Sequence, residues 1–131
     1  MKILIPNKRL GKLQLKPEDE LCVAFANYLR ELTLEHDFPY LWFHVPNQIA
    51  VSRPIFGLKQ SWMGRIAGIP DYVFLGPNNF VMEFKSSNGR LSTMQQIVKL
   101  WCEKLQVPHY VVKDLSDAKS IIEAQLGKIK A

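Results

Sequence analysis

The sequence predicts an α/β domain with a mixed sheet flanked by helices. Three observations carry this. Apolar residues recur at helical spacing in two separate segments. Short aromatic and β-branched runs stand between turn-forming residues. One strand–helix–strand stretch over residues 80–112 is long enough for a parallel crossover. The expected order is α-β-β-β-α-β-α.

The first 16 residues read as an arm, with a short strand at Ile3–Ile5 interrupted by Pro6, Asn7 and Gly11. Pro17 opens a helix, because its fixed φ and missing N–H suit a first turn. Glu18, Asp19 and Glu20 follow at the positive end of the helix dipole. Leu21, Ala24, Phe25, Tyr28, Leu29 and Leu32 give that helix one apolar face, running to about Glu35. Tyr40–Val45 reads as a strand. A long connection from Pro46 to Gly68 follows, with a short helix near Leu58–Met63. Connections of that length in a small domain are often functional.

Tyr72–Leu75 and Phe80–Lys85 flank the turn Gly76-Pro77-Asn78-Asn79 and read as a hairpin. Ser92 is placed to cap a helix to about Leu105, with Ile97, Leu100, Trp101 and Leu105 on the expected buried face. Val107–Val112 is the next strand. Ser116 is the expected cap of a last helix, closed by Gly127. The domain plan is therefore a basic arm at 1–16 and one folded domain at 17–131.

At 131 residues, the chain holds one core rather than two. Its 47% hydrophobic and 22% charged residues are globular proportions, which exclude a largely disordered chain. No apolar run reaches the roughly 18 residues of a membrane span, so no membrane partner is expected. Cys22 and Cys102 form no CxxC pair, which excludes a disulfide scaffold and a four-cysteine metal site. The expected location is cytoplasmic. Of the net charge of +5, the arm alone contributes Lys2, Lys8, Arg9, Lys12 and Lys16 with no acid. Residues 53–99 carry six cations against two acids. Two basic blocks point to a polyanion, nucleic acid above all. Charge alone does not separate DNA from RNA.

The chemistry is concentrated in Pro70-Asp71 and, twelve residues on, Glu83-Phe84-Lys85. If the two strands pair antiparallel, Asp71 at the start of one lies beside Glu83 and Lys85 at the end of the other. Glu83 and Lys85 are two apart and share a sheet face. Two hard carboxylates suit Mg²⁺ or Mn²⁺. Such an ion polarises a phosphoryl group and acidifies bound water. Lys85 is placed to orient that water or to stabilise the negative charge of the phosphorane. The reaction class is metal-dependent phosphodiester hydrolysis. A Glu-x-Lys triplet alone arises by chance about as often as not; its weight comes from the hairpin around it.

Gly68-Ile69-Pro70-Asp71, Glu83-Phe84-Lys85 and Gly89-Arg90-Leu91-Ser92-Thr93-Met94-Gln95 together resemble the virus-type replication–repair nuclease domain, VRR-NUC. This is a branch of the PD-(D/E)XK superfamily with a restriction-endonuclease-like core. His44-Val45-Pro46-Asn47, Met63-Gly64-Arg65 and Glu18 eleven residues before Leu29 extend the resemblance over about residues 17–126. It implies that Asp71, Glu83 and the Phe84 carbonyl hold the metal, with Glu18 as a further acid. Lys85 would be the catalytic lysine, with Gln95 facing the metal centre from the following helix. Glu20 competes with Glu18, and the two cannot face one site because they stand about 200° apart round the helix.

Arg53, Lys59, Arg65, Arg90 and Asn47 are the expected DNA contacts. His44 is read as flanking the site or as a structural hydrogen-bonding residue. Trp62 is read as core or dimer packing rather than base stacking, and Trp101 as core. Stand-alone members of the family resemble Holliday-junction resolvases acting as homodimers on branched DNA. The implied setting is DNA repair in a bacterial or phage-infected cell. The alternatives are a flap- or end-directed nuclease and a non-catalytic DNA-binding module of the same fold.

Overall fold

The computed structural model describes residues 15–46 and 54–130. The expected Ile3–Ile5 strand, most of the arm, Asn47 and Arg53 lie outside the described residues. The elements are α1 (Pro17–Glu35), β1 (Leu41–His44), α2 (Pro54–Trp62), β2 (Tyr72–Leu75), β3 (Phe80–Phe84), α3 (Thr93–Lys104), β4 (His109–Val112) and α4 (Leu115–Lys130). The order is that read from the sequence, with α2 a full helix beginning four residues earlier than expected.

The strands form one sheet in the order β1-β2-β3-β4. The first two pairings are antiparallel, and β3 and β4 are parallel. This mixed pattern follows from the connections. A four-residue turn can only reverse the chain, whereas α3 carries it back to start β4 in the same direction as β3. β3 is buried along its whole length because it has a strand on each side and helices over both faces.

One sheet face carries the core. Tyr72, Phe74, Phe80, Met82, Phe84 and Val112 meet Phe25 and Leu29 of α1 and Ala118 and Ile122 of α4. Aromatic rings dominate it: Phe74 stacks on Phe80 at 4.4 Å, and Phe25 meets Tyr72 edge-on at 5.1 Å. The Tyr72 hydroxyl donates to the Cys22 carbonyl at 3.0 Å, tying α1 to β2. At the far end of the sheet, Gln125 is buried and donates to the Tyr110 hydroxyl at 2.8 Å. It also accepts from Asn78, which in turn accepts from Tyr40. This chain satisfies polar groups that burial would otherwise strand.

Four expectations need correction. The Asp114 carboxylate caps α4, accepting from the Asp117 N–H at 2.7 Å; Ser116 does not. Gly127 does not close that helix, which continues to Lys130. The expected inner face of α3 is an outer one. Ile97, Leu100, Trp101 and Leu105 are each about half exposed or more, and Val98 is the buried residue of the helix. α3 covers only part of its side of the sheet, so most of its apolar stripe looks outward. Trp62 is likewise exposed on α2, which removes the core half of its reading and leaves packing between copies as the other.

Candidate active site

β2 and β3 pair with Tyr72 opposite Met82 and Phe74 opposite Phe80. One step beyond that register, Asp71 comes opposite Glu83. Side chains alternate along each strand, so Tyr72, Met82 and Phe84 face the core while Asp71 and Glu83 take the other face. α3 lies over that second face.

Asp71 is fixed from both sides. Its carbonyl accepts from the Val45 N–H at 2.7 Å, on the β1 side. Its carboxylate Oδ2 accepts from the Phe84 N–H at 2.7 Å, on the β3 side. Burial raises its pKa, opposed by that N–H and by the charges of His44 and Lys85. His44 is exposed at the end of β1, with its ring 5.1 Å from that of Tyr72.

Glu83 is 3% exposed. Its Oε1 accepts from the Gln95 side-chain amide at 2.8 Å and lies 3.8 Å from the Lys85 ammonium. Its Oε2 is buried with no hydrogen-bond partner among the described residues. Burial, then the Asp71 charge, push its pKa up to about 8. A buried carboxylate oxygen left without a donor is costly, and a cation beside it removes that cost.

Gln95 is aimed by a local device. It is the third residue of α3 and forms a capping box with Ser92. The Ser92 N–H donates to Gln95 Oε1 at 2.8 Å, while the Gln95 N–H donates to Ser92 Oγ at 3.2 Å. With its oxygen held by the cap, the amide nitrogen is left to donate to Glu83. The adjacent Gln96 turns instead to the Leu91 carbonyl, donating its side-chain amide at 3.1 Å. Gly68 brings the chain against the first turn of α3. Its φ is +84°, and an added Cβ would sit 2.6 Å from the Met94 carbonyl carbon and 2.7 Å from the Gln95 nitrogen.

The first-helix acids divide. Glu18 Oε1 accepts from the Ser86 N–H at 3.2 Å, immediately after Lys85, and its charge raises both Asp71 and Glu83. Glu20 is exposed. Among the described residues, no three His, Cys, Asp or Glu side chains stand close enough together to hold a metal ion. Glu18, in the first turn of α1, has one carboxylate oxygen engaged by the loop after β3. The donor set that fits a divalent cation is Asp71, Glu83 and a main-chain carbonyl, a hard-oxygen set. The unpartnered Glu83 Oε2 is the observation in its favour.

Lys59, Arg65 and Arg90 are exposed, on α2, after α2 and before α3 respectively. Cys22 lies near the acids, but burial and the Asp71 charge push its thiol up to about 12, so it is no nucleophile at neutral pH. Two features have no signature in the sequence. The Ser86 N–H holds Glu18, and Lys113 stands beside the loop after β3, donating to the Ser87 carbonyl at 3.4 Å. No local pattern marks either one.

No family model matches the sequence, and no curated protein matches it. A solved structure described as a VRR_NUC domain protein aligns with a TM-score of 0.67, over 86% of this chain and 89% of that one. This chain has the VRR_NUC fold. The identity over the alignment is 20%, so the likeness speaks for the fold alone. In this VRR_NUC fold, the parts played by Asp71, Glu83, Lys85 and Gln95 rest on their own geometry.

Proposed function

We propose that the chain is a divalent-metal-dependent nuclease that hydrolyses phosphodiester bonds in DNA. One observation carries the reading: Asp71 and Glu83 face each other across the β2–β3 pair, with Lys85 and Gln95 converging on the buried Glu83 carboxylate. The solved VRR_NUC domain protein of the same fold supports it.

Asp71, Glu83 and the Phe84 carbonyl would hold Mg²⁺ or Mn²⁺. When bound, that ion would supply neutralisation of the phosphate charge and a water of lowered pKa. The chain's own residues do the rest. The Phe84 N–H fixes the orientation of the Asp71 carboxylate. Gln95 engages one oxygen of Glu83 and leaves the other open, which makes it a positioning residue. Lys85, 12% exposed and beside Glu83, presents its ammonium where negative charge accumulates as water attacks phosphorus.

The finer reading is a homodimeric, structure-selective endonuclease of the Holliday-junction resolvase kind. Exposed apolar stripes on α2 and α3 support self-association. Two copies would set two centres against opposed strands of a symmetric junction. Arg53, Asn47, Lys59, Arg65 and Arg90 are the proposed phosphate contacts. Cleavage of a labelled four-way junction beside a matched duplex, with Mg²⁺, Mn²⁺ or EDTA, tests both levels. Paired metal-dependent nicks in the junction alone, absent in Asp71→Asn, are the expected result. Cutting of flaps or ends instead would keep the nuclease and remove the resolvase. No cleavage of any DNA, with binding indifferent to metal, would leave a binding module.

A further inference from the structure

Parallel pairing sets Phe84 opposite Val112, and the ladder continues as the Lys85 N–H donates to the Val112 carbonyl at 2.9 Å. Two lysines distant in the chain, Lys85 and Lys113, thus leave the carboxyl ends of β3 and β4 side by side. In α/β sheets, that edge is where ligands bind. A cleft of about 540 Å³ opens there, within the roughly 300–1,000 Å³ of small-molecule sites. Its polar wall is Lys85, Ser86, Ser87, Asn88 and Lys113, and its apolar wall is Pro17, Leu21 and Leu115. Among the described residues of the lining the one acid is Asp114, which has an oxygen engaged with the Asp117 N–H at the start of α4.

A nucleotide unit has the same two-sided character, with an anionic phosphate and an apolar sugar face. Lys85 lines the cleft and also stands beside Glu83, so the cleft adjoins the candidate centre. We propose that this cleft seats the nucleotide next to the scissile bond, with Lys113 contacting its phosphate and Pro17, Leu21 and Leu115 packing against its sugar. The assignment rests on the nuclease reading for its role in catalysis, but binding can be measured without cleavage. Lys113 is exposed and lies between β4 and α4, so its variants are expected to keep the fold.

Binding of a fluorescein-labelled DNA duplex is measured in EDTA across a salt series for wild type, Lys113→Ala and Lys113→Arg. Lys113→Ala is expected to weaken binding several-fold and to make the log K against log salt slope shallower by about 0.9, the equivalent of one phosphate. Lys113→Arg is expected to restore most of both. With Mg²⁺ or Mn²⁺, the loss in kcat/KM is expected to be larger on DNA than on bis(p-nitrophenyl) phosphate, which has no neighbouring nucleotide, and to fall in KM. An unchanged affinity and slope in Lys113→Ala would overturn the subsite. So would equal losses on the two substrates. A Lys113-dependent slope in a protein that cleaves neither substrate would keep the cleft and remove the nuclease.

Discussion

Asp71 and Glu83 differ in how completely their neighbours satisfy them, and that difference sets what each substitution should do. Asp71 accepts a main-chain N–H, so Asp71→Asn keeps a hydrogen-bond acceptor while removing the charge. It should abolish metal-dependent cleavage and hold the thermal midpoint near wild type; cleavage at the wild-type rate would remove this residue from the centre. Lys85→Ala should lose most turnover while retaining divalent-metal binding by calorimetry. Glu83 supplies a pH dependence. Its folded pKa of about 8 lies above its usual 4.5, so the metal-free folded protein keeps a proton that the unfolded chain releases. The folded state then binds more protons across that window, and stability must fall as pH rises from about 4.5 to 8. Asp71, also raised by burial, acts in the same direction. Thermal midpoints in EDTA at about pH 5.5 and pH 8 should show the drop, and Glu83→Gln should flatten it.

At the level of the element, α3 has two jobs on two faces. Its first turn aims Gln95 at Glu83 through the Ser92 capping box. Gly68 permits that placement, since a side chain there meets the α3 backbone and an unfavourable φ together. Gly68→Ala should therefore lower the thermal midpoint, by the equivalent of about 1–3 kcal/mol, and depress cleavage through Gln95. A variant with unchanged stability would show that the close approach relaxes freely. The outer stripe of α3 bears Ile97, Trp101 and Leu105, and α2 adds Ile55, Leu58 and Trp62. Trp101→Lys should shift the protein toward monomer in sedimentation velocity without lowering its midpoint, because half of that ring already faces solvent. A loss of stability would instead place Trp101 in the monomer's own packing.

For the molecule as a whole, the basic surplus governs how tightly a polyanion is held. Residues 1–12 carry four of the cations and no acid. Their deletion should weaken DNA binding and flatten its salt dependence, since each phosphate no longer neutralised takes about 0.9 from the slope. An identical slope in the shortened chain would take the arm out of the interface. Among the described residues, no helix is long and apolar enough to cross a membrane.

Local periodicity and punctuation suffice to define the elements and their order. Pro17 at the start of α1, the turn at 76–79 and Ser92 before α3 each act within a few residues of where they stand. The hairpin makes the Asp71–Glu83 pairing legible too, since a short turn fixes the register of the strands on either side. The VRR-NUC resemblance adds Gln95, and the capping box then shows how that residue is aimed. Periodicity fails on α3 for a physical reason: an apolar stripe looks the same whether a core or a partner is to cover it. The stripe predicts a core position for Trp101, which lies half exposed. Only the folded chain reveals that Glu18 sits on the Ser86 N–H, and that Lys113 comes beside Lys85. Each of those meetings joins residues far apart in the sequence, and only strand pairing and helix docking bring them together.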